Sequence, residues 1–209
     1  MRNAERSSQL SFDALLADTT ETNRQRQQDR EYGHLPATMD GAVSFLKDLI
    51  ARHHQGMLAG NAALVGSLRE EAIKLATKLN NFEAGILADE DAPGCILDRL
   101  TRAEKGQDPL WGQSGSFIVT YKTIQIRIEM DGLYGIAASH MTWLGFGAHA
   151  VERNRPFLSD TGFRSFLGVG GPLVAGLTPR TFAEEIIGRY VTNELKGKLC
   201  RIRPISRCR

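Results

Sequence analysis

Two runs of apolar residues between Thr38 and Asn81 limit the possible folds of this chain more than any other feature. Val43, Leu46, Ile50, His53 and Met57 recur at steps of three and four, which sets them on one face of a helix. Val65, Leu68, Ala72, Leu75 and Leu79 repeat the pattern. The residues at the ends agree with it. The Thr38 hydroxyl can accept a first-turn N–H, and Pro36 discourages helix further upstream. Gly60 suits a left-handed terminus, and Asn61 suits a second N-cap. Two matched seams joined by a short connection predict an antiparallel helical hairpin. In this reading Arg69, Glu70, Glu71, Lys74 and Lys78 fall off the seam, with Glu70 and Lys74 as a favourable i,i+4 pair. Gly66 costs the second helix about 1 kcal/mol relative to alanine.

At 209 residues the chain can bury one sizeable core. A net charge of +2 excludes an acidic DNA mimic and a strongly basic nucleic-acid binder. No apolar run reaches bilayer length, and Met1 to Leu15 lacks a signal-peptide pattern. Cys95, Cys200 and Cys208 are too scattered for a disulfide framework. A cytoplasmic protein with free thiols and no membrane partner is expected. Residues 1–33 form a polar N-terminal arm in which Leu10, Phe12, Leu15 and Leu16 could dock a short helix. Thr19 to Glu31 within it reads as a solvated helix or a flexible arm. Residues 34–204 are expected to form a single α+β domain, and residues 205–209 a basic tail.

After the hairpin, Asp91 is the expected N-cap of a short helix whose first turn holds Pro93 and which buries Ile96, Leu97 and Leu100. Asp89, Glu90 and Asp91 also have the oxygen ligands to hold a hard cation, and capping is the preferred reading of the two. From Ser116 the apolar period becomes two. Phe117, Val119 and Tyr121 alternate, then Ile124, Ile126, Ile128 and Met130, with Lys122-Thr123 as the turn. Asp131-Gly132 signals a second turn into a third strand, Leu133 to Ala138, which completes a meander. Its uncovered face would carry Ser116, Ile118, Thr120, Gln125, Arg127 and Glu129. A helix follows from Leu177, with Thr178 as cap, Pro179 in its first turn and a face of Phe182, Ile186, Tyr190 and, more loosely, Leu195, with Ile187 and Val191 beside it. Leu199 to Ile202 reads as a final edge strand. The predicted class is α+β: a helical hairpin and a C-terminal helix packed on a small antiparallel sheet.

Three residue sets have the chemistry for a site. His53, His54 and Met57 form a helical His-His-x-x-Met, and imidazole with thioether suits a soft-leaning metal. Copper or zinc is the candidate there, against the ordinary outcome of a hydrogen-bonded core histidine with no cofactor. Arg153, Arg155 and Arg164, with Lys196, Lys198, Arg201, Arg203, Arg207 and Arg209, can face an acidic protein or nucleic acid. The alternative is a solvated tail with scattered arginines. His140 and His149, with Asp131 or Asp160, have the residue types of an acid–base set. No nucleophile motif accompanies them, so the sequence leans away from an enzyme.

The string LIARHHQGMLAGNAAL resembles the HHQ motif of a helical family of small copper-associated bacterial proteins. A wider likeness runs through HLPATMDGA at His34, ILADEDAPGC at Ile86, RIEMDGLYGI at Arg127, FLSDTGFRSFLG at Phe157 and LTPRTFAEEIIG at Leu177. In this order the segments resemble an uncharacterised family of proteins carried on plasmids and other mobile elements of proteobacteria. The resemblance implies one α+β domain in a bacterial cytoplasm and transfers no activity; the closing IRPISRCR departs from it. The expected function is a non-enzymatic accessory protein that binds a protein complex, with inhibition of host restriction or CRISPR as its concrete form. A metal-binding protein and a nucleic-acid-binding protein are the rival readings.

Overall fold

The computed structural model describes residues 19–135 and 142–203. Leu10, Phe12, Leu15, Leu16, His140, Arg207 and Arg209 lie outside the described residues. The chain is an α+β protein. Residues 19–32 are helical (α1), so this part of the polar arm is a helix. It is joined to the body: Lys78 Nζ donates to the carbonyls of Tyr32 and Leu35, and Tyr32 meets Phe82 edge-on.

The hairpin forms as its caps dictate. In α2 (Met39–Leu58), Thr38 Oγ1 accepts from Gly41 N–H; in α3 (Ala62–Leu79), Asn61 Oδ1 accepts from Leu64 N–H. Gly60 turns between them at φ +69°. Leu46, Ile50, His53 and Met57 are buried along α2, and Val65, Leu68, Ala72 and Leu75 along α3. Val43 and Leu79, at the ends of the stripes, are half-buried. One residue departs from the expected pattern. Arg69 does not lie off the seam; it is buried on α3, because His53 across the hairpin gives its guanidinium a partner.

The next helix, α4 (Pro93–Thr101), starts after Ala92, which makes no side-chain cap. The expected Asp91 cap is absent, since the helix starts at Pro93 and the cap position falls on Ala92, one residue after Asp91; Asp91 instead gives its own N–H to Asp89 Oδ1 in an acidic turn. Leu97 is buried, but Ile96 is half-buried and Leu100 is exposed, so α4 touches the hairpin by a narrower stripe than expected.

Strands β1 (Gly115–Tyr121), β2 (Ile124–Met130), β3 (Phe146–Ala150) and β4 (Phe163–Phe166) form an antiparallel sheet in sequence order. Tyr121 pairs with Ile124 across the Lys122-Thr123 turn, where Lys122 takes φ +53°. The period-two reading holds: Phe117, Val119, Ile126 and Ile128 are buried, and Ile118, Thr120, Gln125, Arg127 and Glu129 are exposed. The third strand lies elsewhere than expected. Leu133 donates its N–H to Gly112, outside the sheet, and Tyr134 sends its hydroxyl to the Ala72 carbonyl on α3. The chain therefore leaves the sheet at Asp131 and returns as β3.

Helix α5 (Pro179–Asn193) begins with a reciprocal box, Thr178 and Thr181 each accepting the other's N–H. It buries Phe182, Ala183, Ile187 and Val191, so Ile187 and Val191, expected beside the face, lie at its centre, while Ile186 and Tyr190 are half-buried at its edge. Arg180 fastens its start to the β1 edge, donating to both Asp108 carboxylate oxygens and to the Ile118 carbonyl. In place of a last edge strand, Cys200 and Phe157 exchange one pair of backbone bonds at 2.7 Å. Two apolar clusters result, one between the sheet and α5, the other within the hairpin and α4. Met57 and Val65 cross from the hairpin into the first; Leu133 and Tyr134 enter the second. Among the described residues no helix is long and apolar enough to cross a membrane.

Candidate functional site

The inner face of α2 carries His53, His54 and Met57 together. His53 is 0% exposed, with Nδ1 3.0 Å from the Trp111 carbonyl and Nε2 3.2 Å from Arg69 Nε. A carbonyl only accepts and a guanidinium only donates. Nδ1 therefore carries the proton, Nε2 is bare, and the ring is neutral. Burial pushes its pKa down to about 4, and the Arg69 charge acts in the same direction against the Trp111 bond. His54 Nδ1 accepts the Trp111 N–H at 3.1 Å, and burial lowers its pKa too. Adjacent histidines thus hold both backbone groups of one residue. Gly112 follows at φ +90°, and a Cβ there would stand 2.9 Å from His53 Nδ1. The Trp111 indole N–H reaches the Leu177 carbonyl at 2.7 Å, and its rings meet Trp143 and Phe182. Arg69 also donates to the Thr142 carbonyl, and burial lowers its pKa to about 10. Met57 is buried in the sheet-side core. A metal at His53 would have to displace one of these two protein bonds. Among the described residues no three His, Cys, Asp or Glu side chains form a metal cage.

The arginines assemble differently. The Phe157–Cys200 bridge lays residues 153–156 beside residues 199–203, although they are far apart in sequence. Between them runs an open groove of about 1110 Å³, lined by Arg153, Asn154, Arg155, Pro156, Leu199, Arg201, Ile202 and Arg203. Ile202 is buried in the core and anchors the second wall. Arg203 is held by Asp160, through its own N–H to the carbonyl and its guanidinium to the carboxylate. Arg155 pairs with Glu152 at 2.9 Å. Arg153 and Arg201 are exposed and have no side-chain ion pair or hydrogen bond among the described residues.

Of the nine basic residues singled out from sequence, four line this groove. Arg164 lies instead over the Tyr190 ring, 4.7 Å from its centroid. Lys196 donates to the Asn193 carbonyl, and neither it nor Lys198 lines the groove. The acid–base set does not come together among the described residues: His149 pairs with Glu129 at 3.3 Å, and Asp160 with Arg203. Sequence reasoning missed Pro156, Leu199 and Ile202, the apolar part of the groove. One isolated bridge creates that surface, and no periodic pattern announces it.

The fold and groove define an α+β protein with a basic, partly apolar cleft. Over 133 residues it is 33% identical to a protein of Escherichia coli named Protein KlcB, and over 134 residues 31% identical to another E. coli protein of that name. Each match takes 63% of this chain but only 28% and 32% of those relatives, so the chain spans about a third of their length. No protein-family model matches the chain. No solved structure matches it either.

Proposed function

We propose that this chain is a non-enzymatic accessory protein of a bacterial mobile element, which binds an acidic face of a protein complex through its arginine groove. Inhibition of a host-defence system, restriction or CRISPR, is the concrete form of the reading. One observation carries it: Arg153, Arg155, Arg201 and Arg203 converge on one cleft with apolar Pro156, Leu199 and Ile202 between them. Charge steers an acidic partner to such a cleft, and the apolar strip gives it area to bury. The five segments that resemble mobile-element proteins support the biological setting, and the relatives in E. coli agree with a bacterial one.

The test is capture of partners from a bacterial lysate by tagged wild-type protein and by an Arg153→Glu/Arg201→Glu variant, after nuclease treatment. The wild type should retain a partner at low salt that the variant loses, with capture declining as salt rises. The same proteins on both baits would refute the groove. A partner that disappears on nuclease treatment alone would point to nucleic acid. If defence is the target, a restriction- or CRISPR-proficient host expressing the chain should accept challenged DNA more often than one expressing the variant.

A further inference from the structure

One transverse row of the sheet carries a chemistry different from that of the groove. Ile118 on β1 pairs with Arg127 on β2, Arg127 with His149 on β3, and His149 with Phe163 on β4. The sheet-side core and α5 lie on the other face. Strand alternation turns this row outward, and Ile118 and Phe163 are 48% and 46% exposed. The His149 and Phe163 rings touch, with centroids 4.8 Å apart and planes tilted by 44°. Gly147 makes room for both: a Cβ there would stand 3.2 Å from Phe163 Cε2 and 3.3 Å from His149 Nε2. The Phe163 ring rides on a fixed backbone, because Ser159 Oγ and Thr161 Oγ1 both donate to its carbonyl, at 2.6 and 3.1 Å. Those two bonds fill the carbonyl's lone pairs and so close it to an added strand. A partner meets the face of the sheet here, not its edge.

Charge is graded along this face. Arg127 stands in the row itself, exposed and without a side-chain ion pair or hydrogen bond among the described residues. One row away, Glu129 is held by Arg102 at 3.2 Å and by His149 at 3.3 Å. At the end of β2, burial and then the Asp98 and Glu129 charges push the Asp131 pKa up to about 6. That end repels a polyanion. In the other direction exposed Val151, its N–H on the Gln125 carbonyl, continues the face toward Arg153 on the groove wall. The area decides between kinds of partner. Four strands ~4.8 Å apart and about five rows ~3.4 Å apart cover on the order of 300 Å², well short of the ~800 Å² per partner of a standard protein interface. A second copy of the chain has too little here to bury. A chain of flat bases joined by phosphates needs only a ring to stack on and a cation beside it.

We infer that this open row binds single-stranded nucleic acid, with a base stacked on the Phe163–His149 ring pair and a backbone phosphate on Arg127, the strand leading from there toward Arg153. Every base has a π-face, so the ring pair imposes little sequence preference. In a duplex those faces are already stacked, so the single strand is the form that fits.

Fluorescence anisotropy with labelled oligothymidylate and oligouridylate of about twelve nucleotides, within the site sizes of single-strand binders, tests this on the full chain. Both should bind saturably at low salt and more weakly as salt rises, and the difference between them identifies the preferred sugar. A duplex of the same length should bind far more weakly. Phe163→Ala and Arg127→Glu should each weaken binding by about ten-fold or more, and Phe163→Trp should keep it. Arg153→Glu/Arg201→Glu should weaken it less than either. All these positions are exposed, so circular dichroism should match the wild type. If a variant fails to fold, the wild type still decides: oligothymidylate should shift the amide signals of Arg127, His149 and Phe163 before those of residues 199–203. No saturable binding, equal binding of the duplex, or full binding by Phe163→Ala would each overturn the assignment. So would a loss confined to the groove variant, which would put the nucleic acid in the groove. Dimerisation that Phe163→Ala abolishes, with no nucleic acid bound, would give the face to a second copy instead.

Discussion

At His53 burial outweighs the bond that would favour charge. The folded pKa falls from the ordinary 6.5 to about 4. As pH drops below 6.5 the unfolded chain takes up a proton that the folded protein refuses. The contribution of His53 to stability is thus complete above pH 6.5 and lost as pH falls toward 4, up to ~3 kcal/mol. Asp131 has the opposite sign. Its folded pKa is raised from 3.8 to about 6, so its contribution is present below pH 3.8 and lost as pH rises through 6. Thermal melts across this range should separate the two. His53→Gln should flatten the acid loss, whereas Asp131→Asn should raise Tm near neutral pH with a gain that shrinks on acidification. Because protein partners hold both ring nitrogens of His53, added copper or zinc should leave Tm unchanged. A stoichiometric rise that vanishes in His53→Ala would instead assign a metal to α2. In the sequence His53 was legible as a seam residue and Arg69 was not. Helical spacing places an arginine on a face without showing that a neutral imidazole waits opposite.

The helical hairpin tests burial at the scale of an element. Leu46 and Leu75 are almost wholly enclosed, and an unpaired carboxylate at either site costs several kcal/mol. Leu46→Asp and Leu75→Asp should each abolish soluble folding, checked by yield and by circular dichroism. Gly66 points the other way. It is exposed within α3, and a Cβ there meets nothing within 4 Å. Gly66→Ala should stabilise the protein by about 1 kcal/mol, read from urea unfolding. Caps, stripes and the β1–β2 alternation were legible because each is set within one turn or one strand pair. The third strand was not. Its supposed first residue, Leu133, spends its N–H on Gly112, a pairing across elements that no local period encodes. The Asp91 cap failed by one residue: the helix starts at Pro93, so the cap position falls on Ala92, which has no oxygen to offer.

Across the whole molecule, a net charge of +2 conceals two local concentrations, an arginine groove and a pocket that gathers Asp98, Glu129 and Asp131. The sequence showed the arginines but not which of them meet, since the Phe157–Cys200 bridge sorts them. The Trp111 joint governs another property, the cooperativity of unfolding. One residue is fastened to α2 through its backbone, to the α5 approach through its indole and to the sheet-side core through its rings. Trp111→Phe would keep much of the packing but strand the Leu177 carbonyl, costing about 1–3 kcal/mol. Opening either apolar cluster exposes part of the other, so the two should lose structure as one unit. Far-ultraviolet and near-ultraviolet melts should coincide, and the Trp111 amide should exchange its proton only when the whole chain opens. A partner that grips the groove, far from Trp111 in sequence, would then slow exchange in the helical hairpin as well.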